Sequence, residues 1–333
     1  MKSQDTRNYA LDLLKGIGCI GVVFMHVTFP GKAGGVIHKF AEFSVPVFIM
    51  ISGYYAYGCD RKKIKRRLLK IIKIFVFAFV LYSVYRMVGL ISEHKLLDII
   101  DTRYLFGQTI KLIVFCTIDY AIPLWYLIAM IETYMLWLII GEHLYKKHIV
   151  VLMILLFVLQ VVSRILCETM ALPWYLKICF LTCALPWFLF GYYMRMPVEK
   201  IVDRFSDSAI ITIAVVGCII AVIPVLIDTS IQFSFFGVVL YSISLFVLAI
   251  RHGNNSICSV MEYIGNRLSL NIYVLHALIG GALWFACNKT HVIGTFSALY
   301  LWGRPIATVV ISLCVAWFIE RLKCIKHIKK IAT

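Results

Sequence analysis

The sequence predicts an all-α protein, a polytopic membrane helical bundle of about ten transmembrane helices with both termini cytoplasmic. Three observations carry that expectation. Hydrophobic residues make up 62% of the 333 positions and charged ones 15%, against about 45–50% and about 25% in soluble domains. Apolar stretches recur at lengths near the roughly 20 residues that carry a helix across ~30 Å of hydrocarbon. The short alternating strands of a membrane barrel are not seen, and a helix satisfies its own backbone groups in lipid.

Ten spans are expected, at 9–29, 36–57, 70–91, 121–141, 148–166, 174–195, 208–227, 231–250, 268–287 and 297–320, all within a single membrane domain over 1–333. The first run ends in His26 and Pro30 without a small-residue cleavage site, so it is expected to stay as the first helix rather than be removed as a signal peptide. With the N-terminus inside, inner segments hold 23 of the 33 Lys and Arg residues. Positive charge gathers on cytoplasmic loops, and an even number of spans returns the C-terminus to the same side.

The net charge of +16 does not point to nucleic acid, because the basic residues cluster at the ends of apolar spans, where anionic headgroups lie. Eleven cysteines contain no C-x-x-C pair and fall largely within apolar runs. They read as small packing residues, with no disulfide framework and no metal site. The basic segment "DRKKIKRRLLKIIK" at 60–73 is both a topology anchor on anionic lipid and a candidate cradle for a phosphate-rich ligand. The longest outer gap, 92–120, contains a partly amphipathic stretch expected to lie along the interface. "PGKAGG" and His38 read as an ordinary flexible loop near the outer face; the spacing and context of a phosphate loop are missing.

Ionisable groups inside membrane helices are costly and face a cavity, a partner or the bundle interior. Lys15 and His26 are eleven residues apart. At about 100° per residue they come round three turns plus about 20°, onto one face, about 16 Å apart along the axis. Asp12 lies three residues before Lys15 and can pair with it. A phosphopantetheine arm is of that order of length, so Lys15 could hold phosphate while His26 meets a thioester. The opposing reading is a buried structural histidine. Glu132 sits within "AMIETYMLW", where a carboxylate is protonated or paired. Trp125 and Tyr126 fit an interfacial aromatic belt or a surface for stacking sugar. His276, three residues after Tyr273 on a shared face, fits a hydrogen-bonded packing role or one in orienting substrate. Ser52 with Gly53 fits a close helix contact or an oxyanion donor.

"LDLLKGIGCIGVVFMH" resembles the opening of the acyltransferase-3 family of membrane acyltransferases, whose Leu-Asp-x-x-Arg-Gly pattern is followed by a histidine ten residues beyond the arginine. Asp12, Lys15, Gly16 and His26 stand at those positions, with Lys15 replacing the arginine and its bidentate fork. "VPVFIMISGYY" resembles the second helix through Phe48, Ser52, Gly53 and Tyr54, and "RRLLKIIK" the Arg-x-x-Arg segment, with Arg67 matched and Lys70 substituting. "PLWYLIAMIETYML" is similar to the Leu-Trp-aromatic-Leu element, and "IGNRLSLNIYVLH" to the late Ser-x3-Tyr-x2-His element at Ser269, Tyr273 and His276.

This resemblance implies transfer of an acyl group, commonly acetyl, from cytoplasmic acyl-CoA to a hydroxyl of a surface polysaccharide or lipid-linked sugar. The expected catalytic residues are His26, Lys15 and Asp12. Acyl-CoA is expected at Lys15, Arg67, Lys70 and Ser52, and the acceptor at Trp125, Tyr126, Glu132, Tyr273 and His276. No permanently bound cofactor is expected, acetyl-CoA or another acyl-CoA being a co-substrate. The setting is a bacterial inner membrane, with membrane lipids as the other partner and no nucleic acid. His26 suits a general base or an acyl carrier. A transporter or flippase for a lipid-linked glycan would use the same polar groups, but no internal repeat of the kind such folds carry is visible. A sensor or scaffold without chemistry would tolerate substitution of Lys15 and His26.

Overall fold

The computed structural model describes residues 7–92, 102–141, 144–173, 175, 179–228, 233–290 and 296–332, and among them it holds helices and no strand. Positions 93–101 of the expected outer gap and positions 174 and 176–178 of the sixth expected span lie outside the described residues. In chain order the α-helices are α1 Tyr9–His26, α2 Gly31–Ala41, α3 Ser44–Ala56, α4 Arg61–Ser92, α5 Thr102–Phe115, α6 Trp125–Ile140, α7 Lys146–Thr169, α8 Leu185–Arg195, α9 Asp207–Leu226, α10 Ser234–Arg251, α11 Ser259–Tyr263, α12 Ser269–Lys289 and α13 Ser297–Ala332. Among the described residues, nine helical stretches are long and apolar enough to cross a membrane.

Among the described residues, the expected sixth span has no counterpart of crossing length. Its helix, α8, has 11 residues and carries Pro186 at its start, preceded by a single π-helical turn at Phe180–Ala184. Eleven residues rise only about 16 Å, well short of the ~30 Å of hydrocarbon. The expectation of a loop at "PGKAGG" is corrected: the chain is already helical from Gly31. Gly31 has φ +64, and a side chain at Gly34 would strike the Phe29 carbonyl. Gly34 serves a tight approach, and Gly31 a left-handed backbone conformation that L side chains rarely adopt. The expected second span is two helices, α2 and α3, with Pro46 tolerated in the first turn of α3.

The chain divides into two compact units, one comprising Met1–Phe48 with Glu199–Thr333, the other Ile49–Val198. In the first, α1 packs on α11, α12 and the π-helical turn Ile264–Leu268 between them. Cys19 and Val23 of α1 meet Ile264, Leu268 and Ile272, with Ala316 of α13 closing the cluster. Lipid is as apolar as these side chains, so van der Waals fit rather than exclusion from water drives the contact, and small residues let backbones approach. Gly16 and Gly265 do so here: a Cβ on Gly16 would strike the Met261 carbonyl, and one on Gly265 the Asp12 carbonyl.

The second unit repeats the device. Gly53 of α3 lies on the Phe188 backbone of α8, and Gly191 of α8 on the Met50 backbone of α3. Around that crossing Phe188 meets Tyr134 and Trp137 of α6 at ring separations of 5.6 and 5.3 Å.

Candidate active site

Helix α1 runs unbroken from Tyr9 to His26, so the spacing that puts Lys15 and His26 on one face is realised. Its first turn is capped by Asn8, whose Oδ1 accepts from the Leu11 N–H at 2.7 Å. Asp12 is 4% exposed, and its carboxylate is saturated. Oδ2 accepts from Arg7 Nε at 2.8 Å and Asn266 Nδ2 at 2.9 Å, while Oδ1 takes Lys15 Nζ at 2.6 Å. Two cations meet this carboxylate, and a second carboxylate, Glu262 of α11, lies near enough to attract Arg7. Asn266 reaches Asp12 from the π-helical turn, whose extra residue resets the helical register just before α12.

The other end of α1 is built differently. His26 is exposed, while His276 of α12 is completely buried, and their ring centroids are 5.1 Å apart. His276 Nδ1 lies 2.7 Å from the Tyr273 carbonyl and 3.2 Å from that of Ile272. A carbonyl can only accept, so Nδ1 carries the proton, and Nε2 of the neutral ring presents a lone pair. That Nε2 is buried without a hydrogen-bond partner among the described residues. Buried polar atoms are almost always paired, so an orphan beside an exposed imidazole marks unused bonding capacity. Tyr273 contributes through its carbonyl, and its ring centroid lies 6.1 Å from that of His276.

In the second unit, Arg67 is the one half-buried member of the basic run along the first turns of α4; the seven other Lys and Arg residues of 61–73 are exposed, Lys70 among them. The Arg67 guanidinium lies beside the Tyr134 phenol. Ser52 bonds to the phenols of Tyr126 and Tyr134. Beside Ser52, Gly53 forms the close α3–α8 contact. Glu132 accepts from Cys116 Sγ at 3.1 Å. Trp125 opens α6 directly after the 3-10 turn Asp119–Leu124 and is partly buried, as is Tyr126.

Within the first unit, then, Asp12 with Lys15 and His26 with His276 and Tyr273 form two groupings; within the second, Ser52, Tyr126 and Arg67 meet around Tyr134. Lys70 and Glu132 join neither of the second unit's phenol contacts. Sequence reasoning left Arg7, Asn266 and Arg304 unassigned. Asn266 is a polar residue inside the quoted late element, but its partner lies 254 residues away. Arg304 is a charge inside an apolar helix and answers to the rule that singles out Glu132, yet no neighbouring motif marks it. Among the described residues no cluster of His, Cys, Asp or Glu could hold a metal ion.

A family model described as an acyltransferase domain matches residues 8–321. Neither the curated proteins nor the solved structures contain a match to this chain.

Proposed function

The chain belongs to the acyltransferase-3 family of membrane acyltransferases, and from that premise we propose that it moves an acyl group, acetyl foremost, from cytoplasmic acyl-CoA to a hydroxyl of a surface polysaccharide or lipid-linked sugar. The proposed setting is a bacterial inner membrane with both termini inside. The observation that carries the reading is the exposed His26 ring against the buried His276, whose Nδ1–H is pinned and whose Nε2 is unpartnered.

His26 takes the proton of the acceptor hydroxyl as the oxygen attacks the thioester carbonyl. The tetrahedral intermediate collapses by breaking the carbon–sulfur bond, and the His26 imidazolium returns the proton to the departing CoA thiolate. Transfer through an acyl-His26 intermediate uses the same atoms in two steps. His276 acts as a neutral acceptor that orients the His26 ring or an acceptor hydroxyl. Lys15, held by Asp12, meets CoA phosphates at the inner end of α1. Arg67 of the second unit offers a guanidinium to phosphate, with Lys70 as a weaker, solvated contributor. Trp125 and Tyr126 offer aromatic faces to sugar. Ser52, already engaged by two phenols, positions them. Asp12 acts through Lys15 rather than on the substrate.

The test uses purified protein in lipid nanodiscs with labelled acetyl-CoA and a glycan acceptor, product acylation being read by mass spectrometry. His26→Ala is expected to lower transfer by about 10²–10⁴-fold, the range of a lost general base. Unchanged transfer in a folded His26→Ala protein overturns the role of His26, and glycan movement without acylation favours a transporter.

A further inference from the structure

Arg304 lies eight residues into α13, inside a stretch long and apolar enough to span the membrane. Its recorded interactions are slight. Nε donates to the Gly280 carbonyl at 3.3 Å, and the guanidinium carbon sits 5.9 Å from the centre of the Tyr300 ring. The first is a long hydrogen bond; the second is at the limit of cation–π range, about 6 Å. No carboxylate pairs with Arg304 among the described residues. A guanidinium has five N–H donors; among the described residues those of Arg304 face the Gly280 carbonyl and the Tyr300 side chain.

Lys289 and Arg321 of the same unit also lack a carboxylate among the described residues, each lying against a ring, at 5.7 Å from Phe285 and 5.1 Å from Trp317, but others are paired. Lys32 meets Asp228 at 2.7 Å and the Leu226 carbonyl at 2.9 Å. Lys39 meets Glu42 at 2.7 Å, and Arg251 meets Asp207 at 2.7 Å. Charge inside a membrane helix is costly, and where it persists unpaired it marks a ligand path.

The place of Arg304 says which ligand. Gly280, the residue it touches, lies one turn beyond His276 on α12, and a Cβ there would meet Val27, the neighbour of His26, and Thr308 of α13. Thr308 in turn donates to the Arg304 carbonyl at 2.8 Å. The hydroxyl of Tyr300, one turn before Arg304, is buried without a partner among the described residues. Arg304 therefore belongs to the His26 end of the unit. The Asp12–Lys15 grouping, proposed above for the CoA phosphates, is at the opposite end of α1.

We infer that Arg304 is a subsite for an anionic group, a phosphate or a carboxylate, carried by the acceptor whose hydroxyl is acylated. The inference rests on the acyltransferase reading for the word acceptor, though not for the binding itself. A guanidinium presents paired N–H groups matched to either anion, and the Tyr300 hydroxyl supplies a further donor one turn away. The acceptor is then an acidic or phosphorylated sugar rather than a neutral one.

Binding is measured on the full chain in phosphatidylcholine nanodiscs, which present no net anionic lipid, with three probes: glucose 1-phosphate, methyl glucuronide and methyl glucoside. Wild type is expected to bind one of the two anionic probes about tenfold tighter than the neutral one, Arg304→Gln to lose that preference, and Arg304→Lys to keep part of it. Preference for the phosphate or the carboxylate decides which anion the subsite takes. Equal binding of charged and neutral probes to wild type, or an undiminished preference in Arg304→Gln, overturns the subsite and leaves Arg304 a snorkelling cation. Thermal unfolding checks that each variant is folded; where Arg304→Gln is not, the wild-type charge preference and its size in Arg304→Lys decide. The same samples are then given acetyl-CoA. Acyl transfer without charge preference overturns the subsite alone, whereas charge preference without any acyl transfer overturns the acyltransferase mechanism and leaves the anion site standing.

Discussion

The two ends of α1 solve opposite problems with similar materials. At the first, Asp12 is buried and every lone pair that matters has a donor: Arg7, Lys15 and Asn266 converge on it from three directions. At the second, His26 is exposed and its neighbour His276 keeps one nitrogen without a partner. A saturated polar group holds structure in place, because removing any member strands another. An unsaturated one has capacity left for a ligand. Under the proposed function the contrast corresponds to positioning at the first end and chemistry at the second, even though sequence spacing alone makes Asp12, Lys15 and His26 look like one set.

Substitution at His276 probes this contrast with the largest expected effect after His26 itself. His276→Leu removes the unpartnered Nε2, which costs little, together with the Nδ1–H bond to the Tyr273 carbonyl, worth about 1 kcal/mol. Acyl transfer is nevertheless expected to fall about 10–10²-fold, since an oriented hydrogen-bond acceptor is lost beside the base. His276→Gln, which can still donate to the Tyr273 carbonyl, should recover part of kcat. Loss of unfolding free energy with intact turnover would reverse the assignment and make His276 a packing residue.

Asp12→Ala tests the other end. It removes the acceptor shared by Arg7 and Lys15, leaves Glu262 as the carboxylate near Arg7, and strands the Asn266 amide. A fully buried pair broken this way costs about 3–5 kcal/mol. Arg7 is 46% exposed and Lys15 21% on the side chain, so solvent lowers the expected cost to about 2 kcal/mol. Equilibrium denaturation in mixed micelles reads it. Turnover per folded molecule should fall less than in His276→Leu; a larger fall would move Asp12 into the chemistry.

How far these distinctions were legible in the sequence depends on how local their cause is. Apolar run length is local, and it gave the helical membrane class and nearly all the spans. The Lys15–His26 face and the Asp12–Lys15 pair follow from helical geometry over three turns, and the unbroken α1 realises both. Gly and Pro content is local but ambiguous: at Gly31 to Gly35 it read as a loop, whereas close approach to Phe29 and Val225 is what uses the missing side chains. Asn266 escaped because its partner is fixed by the crossing of Gly16 and Gly265, a contact between distant segments. The orphaned Nε2 of His276 was out of reach for a further reason, since tautomer and burial are properties of packing.

The basic run of α4 offers the smallest effect and a cleaner version of the same contrast. Arg67 and Lys70 are one turn apart, carry the same charge and match one sequence element, so sequence alone treats them as partners. Arg67 is half-buried beside the Tyr134 phenol, while Lys70 is exposed. An oriented guanidinium keeps paired donors aimed at phosphate with little further ordering, whereas a solvated ammonium must give up its water and its rotamer freedom to bind. Arg67→Gln is therefore expected to raise the KM for acyl-CoA about tenfold with kcat little changed, and Lys70→Gln less than about twofold. Tyr134→Phe should reproduce a fraction of the Arg67 effect, because it frees the guanidinium without removing it. Equal shifts at Arg67 and Lys70, with none at Tyr134, would mean that the run acts only as diffuse positive charge, and raising the ionic strength would then abolish both shifts together.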